Sequence, residues 1–230
     1  MDLNEIKNHF NNLAEEYDSR RKFILPCFDD FYYRSVSLLK YFNKDFSNIV
    51  DLGAGTGLLT KVLYEMYPNA NYTLIDVSQD MLKIAKERFA GKKNFRFLDC
   101  NYVDDIPVEN CDMICSALSI HHMEENEKEK LYQNIYRKLN KGGFLLILDI
   151  FRAKFEGTEN IYYSWWNNFL DVNGMSQKEK AAWEEGKKLD RENTMKETTR
   201  LLITSKFKNI ECIYQFMKFG VIIAVKDDKG

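Results

Sequence analysis

Seven consecutive residues, Asp51-Leu52-Gly53-Ala54-Gly55-Thr56-Gly57, set three glycines on alternate positions behind the apolar pair Ile49-Val50. Glycine tolerates positive φ and lets a ligand approach the backbone closely. In a doubly wound sheet, the carboxyl end of the first strand is where ligands bind. Asp76 closes the next strand-like run, 19 residues past Gly57, at about the distance where an acidic side chain meets ribose hydroxyls. A dinucleotide loop of the G-x-G-x-x-G type wants a further glycine, but that place holds Leu58 counted from Gly53 and Thr60 counted from Gly55. Asp51 would serve a pyrophosphate poorly and suits a cationic amino-acid moiety, since opposite charges attract strongly in a half-buried site.

A second group of residues could move protons. His121 and His122, two of only three histidines, follow the fourth strand candidate, and an imidazole titrates near neutrality. Either is a candidate base, although one of two adjacent side chains normally packs inward. His9, alone on the first helix, reads as structural. Tyr162, Trp165 and Trp166 sit in an aromatic stretch that is either a packing core for a cap or a wall for a small, partly apolar or cationic ligand. In that stretch Ile161, Trp165, Phe169 and Val172 share one helical face, with Tyr162 and Trp166 on an adjoining one. The charged run Lys178–Glu192 reads as a solvated helix face. Cys111 and Cys115 lack a second Cys or His pair at finger spacing, and no carboxylate cluster is evident, so no metal is expected.

The elements that must position these residues follow from periodicity. Leu3, Ile6, Phe10, Leu13, Ala14 and Tyr17 recur at helical steps, and a second helix follows Pro26 to about Phe42. Strand candidates at Ser47–Leu52, Tyr72–Ile75, Phe95–Leu98, Met113–Leu118 and Phe144–Ile150 alternate with helices. One of these helices should be N-capped by Ser78 and carry Met81, Leu82, Ala85 and Phe89. Another carries Leu131, Ile135 and Leu139 and should close at Gly142 or Gly143. The alternation predicts an α/β fold, a doubly wound Rossmann-like sheet that is mostly parallel. Ile210–Phe216 and Val221–Val225 are joined by too short a turn for anything but an antiparallel pair. The expected organisation is a single domain over 1–230: an N-terminal helical cap at 1–44, a ligand-binding core at 45–150, a helical insertion at 151–193, and a last helix with two strands at 194–230.

Bulk properties set limits. A chain of 230 residues can bury most of its apolar surface without disulfides or metal. Its 33 basic and 35 acidic residues leave a net charge of −2, with no basic excess for nucleic acid or a membrane surface. No apolar run approaches bilayer-spanning length. An odd count of five cysteines without a signal peptide predicts free thiols in a reducing cytoplasm.

The loop Asp51–Gly57 resembles the first motif, D-x-G-x-G-x-G, of class I S-adenosylmethionine-dependent methyltransferases. The resemblance continues through Asp76, through Cys111–Leu118 as the fourth-strand motif, and through Leu139-Asn140-Lys141-Gly142-Gly143 as the turn before strand five. It implies a seven-stranded sheet and S-adenosylmethionine as cofactor, held by Asp51, Gly53, Gly55, Gly57, Asp76, Met81, Ser116 and Ala117. The adenine amino group falls to Asp99 or Asn101, because Asn101 stands where the family usually has an acidic residue. Phe10–Asp18 resembles the entry helix of small-molecule members, which assigns Tyr17 and Arg21 to the methionine end of the cofactor. The implied reaction is in-line methyl transfer to a small-molecule acceptor, with an aromatic cap suited to a homodimer. The tail Phe207–Gly220 also resembles carboxy-S-adenosylmethionine synthases, although Arg200 does not align cleanly with the basic residue they need. A non-catalytic cofactor-binding module is the remaining alternative.

Overall fold

The computed structural model describes residues 3–13 and 17–227. Seven strands form one sheet: β1 Asn48–Leu52, β2 Asn71–Asp76, β3 Phe95–Asp99, β4 Cys111–Ala117, β5 Leu139–Ile150, β6 Lys208–Phe216 and β7 Phe219–Val225. Their order is β3-β2-β1-β4-β5-β7-β6. The first five are parallel, and β7 inserts antiparallel between β5 and β6. The reversal of strand order between β1 and β4 opens the crevice where such sheets bind ligands.

Alternation along the buried strands feeds two cores. Ile49, Leu74, Met113, Leu146 and Leu148 face one side, and Val50, Ile75, Ile114, Leu145 and Ile147 the other. Leu59, Val62 and Leu63 of α4 (Leu58–Met66) and Leu82 and Ala85 of α5 (Gln79–Arg88) cover the first side. Leu131 and Ile135 of α6 (Glu125–Lys138) and Leu201 and Leu202 of α9 (Met195–Thr204) cover the second. The Ser78 hydroxyl accepts from Met81 N at 3.2 Å, as its cap role requires. β5 is longer than its apolar run: it starts at Leu139, directly after α6, and Gly142 and Gly143 lie inside it, exchanging hydrogen bonds with Lys226 instead of closing the helix.

The N-terminal segment carries α1 (Leu3–Leu13) and α2 (Tyr17–Ile24); the expected helical positions at Ala14 to Glu16 fall outside the described residues. After Pro26 the chain makes a π turn at Asp30–Arg34, α3 at Ser35–Ser37 and a 3-10 turn at Leu38–Phe42. Residues 151–193 contain α7 (Glu156–Val172) and α8 (Gln177–Lys187). On α7 the buried residues are Trp166 and Leu170; of the expected face, Ile161 and Val172 are largely exposed while Phe169 packs against the first core. Among the described residues, no helix is long and apolar enough to cross a membrane.

Gly57, at φ +78°, starts α4, and a β-carbon there would come within 2.8 Å of Phe89 Cε2. Replacing it forces an unfavourable backbone region and a repacking of α4 against α5. Gly57→Ala is expected to cost about 1–3 kcal/mol, read as a lower urea midpoint with an unchanged m-value.

Candidate active site

The glycine loop turns over the ends of β1 and β2. Gly53 and Gly55 adopt φ of +66° and +54°. Gly53 and Ala54 donate to Ile75 O, which ties the loop to β2. A β-carbon on Gly53 would lie 2.0 Å from Ser119 Oγ, whereas one on Gly55 would meet nothing within 4 Å. Gly53 is therefore a close-packing position and Gly55 an open floor. Gly57 packs on the first core and does not reach the groove above the loop.

That groove is lined by Gly53, Gly55, Asp76, Met81, Asn101, Leu118, Ser119 and His122, and it is roofed by Ile6, Phe10 and Tyr17 from the N-terminal helices. Asp76 accepts from Gly55 N at 2.7 Å and Ser78 N at 2.8 Å. Burial pushes its carboxyl up to about 6 despite these bonds. Asp51 lies beneath, fully buried, with Oδ2 accepting from Thr60 at 2.6 Å and Oδ1 without a partner among the described residues. Burial pushes it up to about 7.

Other expected cofactor residues stand elsewhere. Asp99 is exposed and accepts from Gln79, while Asn101 reaches the groove, its Oδ1 accepting from Val103 N at 3.0 Å. Ser116 is buried within β4 and donates to Leu52 O at 2.8 Å; the chain enters the groove only at Leu118, whose φ is +52°. Ala117 stays in the strand, half-buried. Arg21 donates to the Tyr17 hydroxyl, lies 4.3 Å over that ring, and faces a second cavity instead of the groove.

The second cavity, about 410 Å³, adjoins the first. Its apolar wall includes Leu25, Ile150, Trp166, Leu170, Trp183 and Phe219. Phe10, Tyr17 and His122 line both cavities and form the partition between them. Of the three expected ligand-contacting aromatics only Trp166 belongs here, its Nε1 donating to Ile24 O at 2.8 Å. Trp165 stacks on Phe169 and meets Phe216 edge-on, while Tyr162 lines a separate surface cavity with Arg152 and Arg200. His9, expected to be structural, also lines the chamber, packed against Gly186.

The charged run of the insertion is solvated at Lys178, Glu184, Glu185, Lys188 and Arg191, but one edge of it turns inward. Trp183 and Lys187 line the chamber, with Lys187 Nζ 3.2 Å from the Tyr163 ring centroid. Burial, with Lys218 second, drops the Lys187 ammonium to about 8. The return segment 188–193 is stitched down: Arg191 N donates to His121 O at 2.7 Å, Lys128 to Asn193 Oδ1 at 2.6 Å, and buried Lys218 pairs with Glu192 at 2.6 Å. This sets Asp190 over the histidines. His121 Nδ1 lies 2.5 Å from Asp149 Oδ1, and its Nε2 is 3.5 Å from Asp190 Oδ1. His122 Nδ1 is 3.1 Å from the same Asp190 oxygen, yet makes no hydrogen bond. Burial, then His121, pushes His122 down to about 4. His121 is raised, the carboxylates of Asp149 and Asp190 outweighing burial. Its ring is drawn toward imidazolium while its neighbour stays neutral.

The raised carboxyls of Asp51 and Asp76 have a consequence for stability. The folded chain retains protons there that the unfolded chain releases near pH 4, so their contribution falls as pH rises from about 4 to 7. Asp51→Asn removes one such ionisation. It is expected to melt above the wild type at pH 8, with the gap closing at pH 4.5, in thermal unfolding of the cofactor-free protein.

Relatives agree with this geometry. A methyltransferase-domain profile matches residues 49–143. Carboxy-S-adenosyl-L-methionine synthase of Actinobacillus succinogenes is 27% identical over 94% of this chain and 91% of its own. Malonyl-[acyl-carrier protein] O-methyltransferase 2 of Ilyobacter polytropus is 29% identical over 64% of this chain and 54% of its own. Human N-acetylserotonin methyltransferase, solved in complex with S-adenosylmethionine, shares the fold with a TM-score of 0.60 at 19% identity, covering 95% of this chain and 59% of that one. In its strand order, glycine loop and Asp76 the chain is thus similar to S-adenosylmethionine-dependent methyltransferases, with the profile match confined to residues 49–143.

Proposed function

We propose that the chain transfers a methyl group to a small-molecule acceptor seated in the 410 Å³ chamber. The observation that carries this reading is the shared partition of Phe10, Tyr17 and His122, which sets a chamber of ligand size directly against the cofactor groove. S-adenosylmethionine supplies an activated sulfonium methyl when bound. Asp76 and Asn101 hold the ribose and adenine, and Gly53 and Gly55 let the backbone approach. Met81 lines the same groove as Asp76, and the unpartnered oxygen of buried Asp51 lies under the loop, where a bound cationic group favours its ionised form. Tyr17 and Arg21 close the methionine end. Trp166 and Trp183, meeting edge to face at a centroid distance of 4.9 Å, form one wall against the acceptor's apolar part and exclude water, which raises the share of the barrier that positioning can remove.

His122, neutral at physiological pH, takes the acceptor's proton. His121, fixed by Asp149, orients Asp190, which in turn faces His122. We place the reaction in the cytoplasm, with residues 45–150 as the cofactor core and 151–193 as a lid. The exposed Ile161 and Val172 face of α7 is the seam for a second copy.

A second reading is kept by the synthase relatives, which match nearly the whole chain. A carboxylated cofactor needs a cation. Arg21 borders the partition, whereas Arg200 is paired with Glu125 and lines the separate surface cavity. Mass spectrometry of small molecules released from denatured protein separates the two: S-adenosylmethionine or its demethylated product supports methyl transfer, and a carboxylated adduct overturns it in favour of cofactor modification. Once an acceptor is found, His122→Phe is expected to lower kcat by about 10²–10⁴-fold while leaving the cofactor Kd within a few-fold. A parallel loss of cofactor affinity would remove His122 from the base role.

A further inference from the structure

We infer that His121, His122 and Asp190 form a binding site for one divalent ion of the zinc class, with its open coordination position facing the acceptor chamber. The inference builds on the chamber as acceptor site, but not on methyl transfer itself.

The donor atoms are already gathered. His121 Nε2, a nitrogen of His122 and a carboxylate oxygen of Asp190 lie within 4.8 Å of one another. The two shortest separations, 3.5 Å from His121 Nε2 and 3.1 Å from His122 Nδ1 to Asp190 Oδ1, bracket the spacing of about 3.4 Å that tetrahedral ligands at about 2.1 Å from an ion must have. All three residues line the chamber, so a fourth position opens toward an acceptor and not into the core.

His121 Nδ1 donates to Asp149, which turns Nε2 toward an Asp190 oxygen, where an incoming ion can take the place of the imidazolium proton. His122 Nδ1 is buried beside the same oxygen without a hydrogen bond. A cation between them satisfies all three atoms at once. Asp149 then takes the place that carboxylates hold behind metal-ligating histidines, fixing tautomer and ring orientation. Two neutral imidazoles and a carboxylate are the ligand set of zinc and cobalt rather than of magnesium or calcium. A hydroxyl, thiol or water at the open position would ionise more readily, so the loaded centre replaces His122 as the activating group. Ion and proton compete for the same lone pairs.

The test needs neither cofactor nor acceptor, so its failure is separate from any failure of methyl transfer. Full-length protein treated with a chelator and desalted is titrated with Co²⁺, read by visible absorption, and with Zn²⁺, read by calorimetry. The expected result is one ion per chain, with binding weakened at least 10-fold in both Asp190→Ala and His122→Ala and unchanged in Cys212→Ser, whose thiol is exposed. Circular dichroism checks that the variants remain folded, and Asp149→Asn gives a milder loss through His121. The proposal is overturned if the wild type takes up no stoichiometric Co²⁺, or if folded Asp190→Ala binds it as tightly.

Discussion

One buried carboxylate organises the catalytic end of the sheet. Asp149, near the end of β5, accepts from His121 N at 3.0 Å, Ile150 N at 2.9 Å and the His121 ring. A carboxylate this deeply buried is costly unless its oxygens are satisfied, which forces the loop after β4 to lie against β5. With His121 held, its carbonyl receives Arg191 N, and the return segment 188–193 of the insertion follows. Asp190, Lys187 and Trp183 then face inward. The chamber is thus built outward from the strand ends, and the insertion is shaped by what the sheet presents to it.

Much of the fold was legible because its determinants are local. The five apolar runs and the glycine loop lie within a few residues of the backbone geometry they specify, and Ser78 caps α5 as its position requires. Element ends were less legible. β5 begins at Leu139, opposite Cys111 of β4, and Gly142 and Gly143 bond Lys226, a partner more than eighty residues away. The β4 motif points one step short of the groove because Leu118, not a glycine, takes the left-handed conformation that turns the chain inward.

The chamber was less legible still. Adjacent helical residues lie about 100° apart, so choosing between Trp165 and Trp166 needs to know where α2 passes, and it passes at Ile24. Trp183, Lys187, Asp190 and Glu192 sit in a run whose charge density matches an exposed helix. Their burial depends on Lys218 in the β6–β7 turn and on His121. His9 and Arg21 reach the same cavity from the other end of the chain. No window of sequence contains the site; only the switch point of the sheet does.

The partition between groove and chamber ties two binding equilibria together. The groove measures about 50 Å³ with Ile6, Phe10 and Tyr17 over it, far below the roughly 300 Å³ of an ordinary ligand pocket. Phe10 lines that groove and touches the His122 ring at a centroid distance of 5.4 Å. A ligand that displaces Phe10 from the groove therefore reshapes the walls of the chamber as well. By linkage, whatever factor one ligand imposes on the affinity of the other is returned in equal measure. In a two-substrate enzyme this arrangement couples the two affinities whichever ligand binds first, and it makes α1 a thermodynamic messenger between sites that share no ligand.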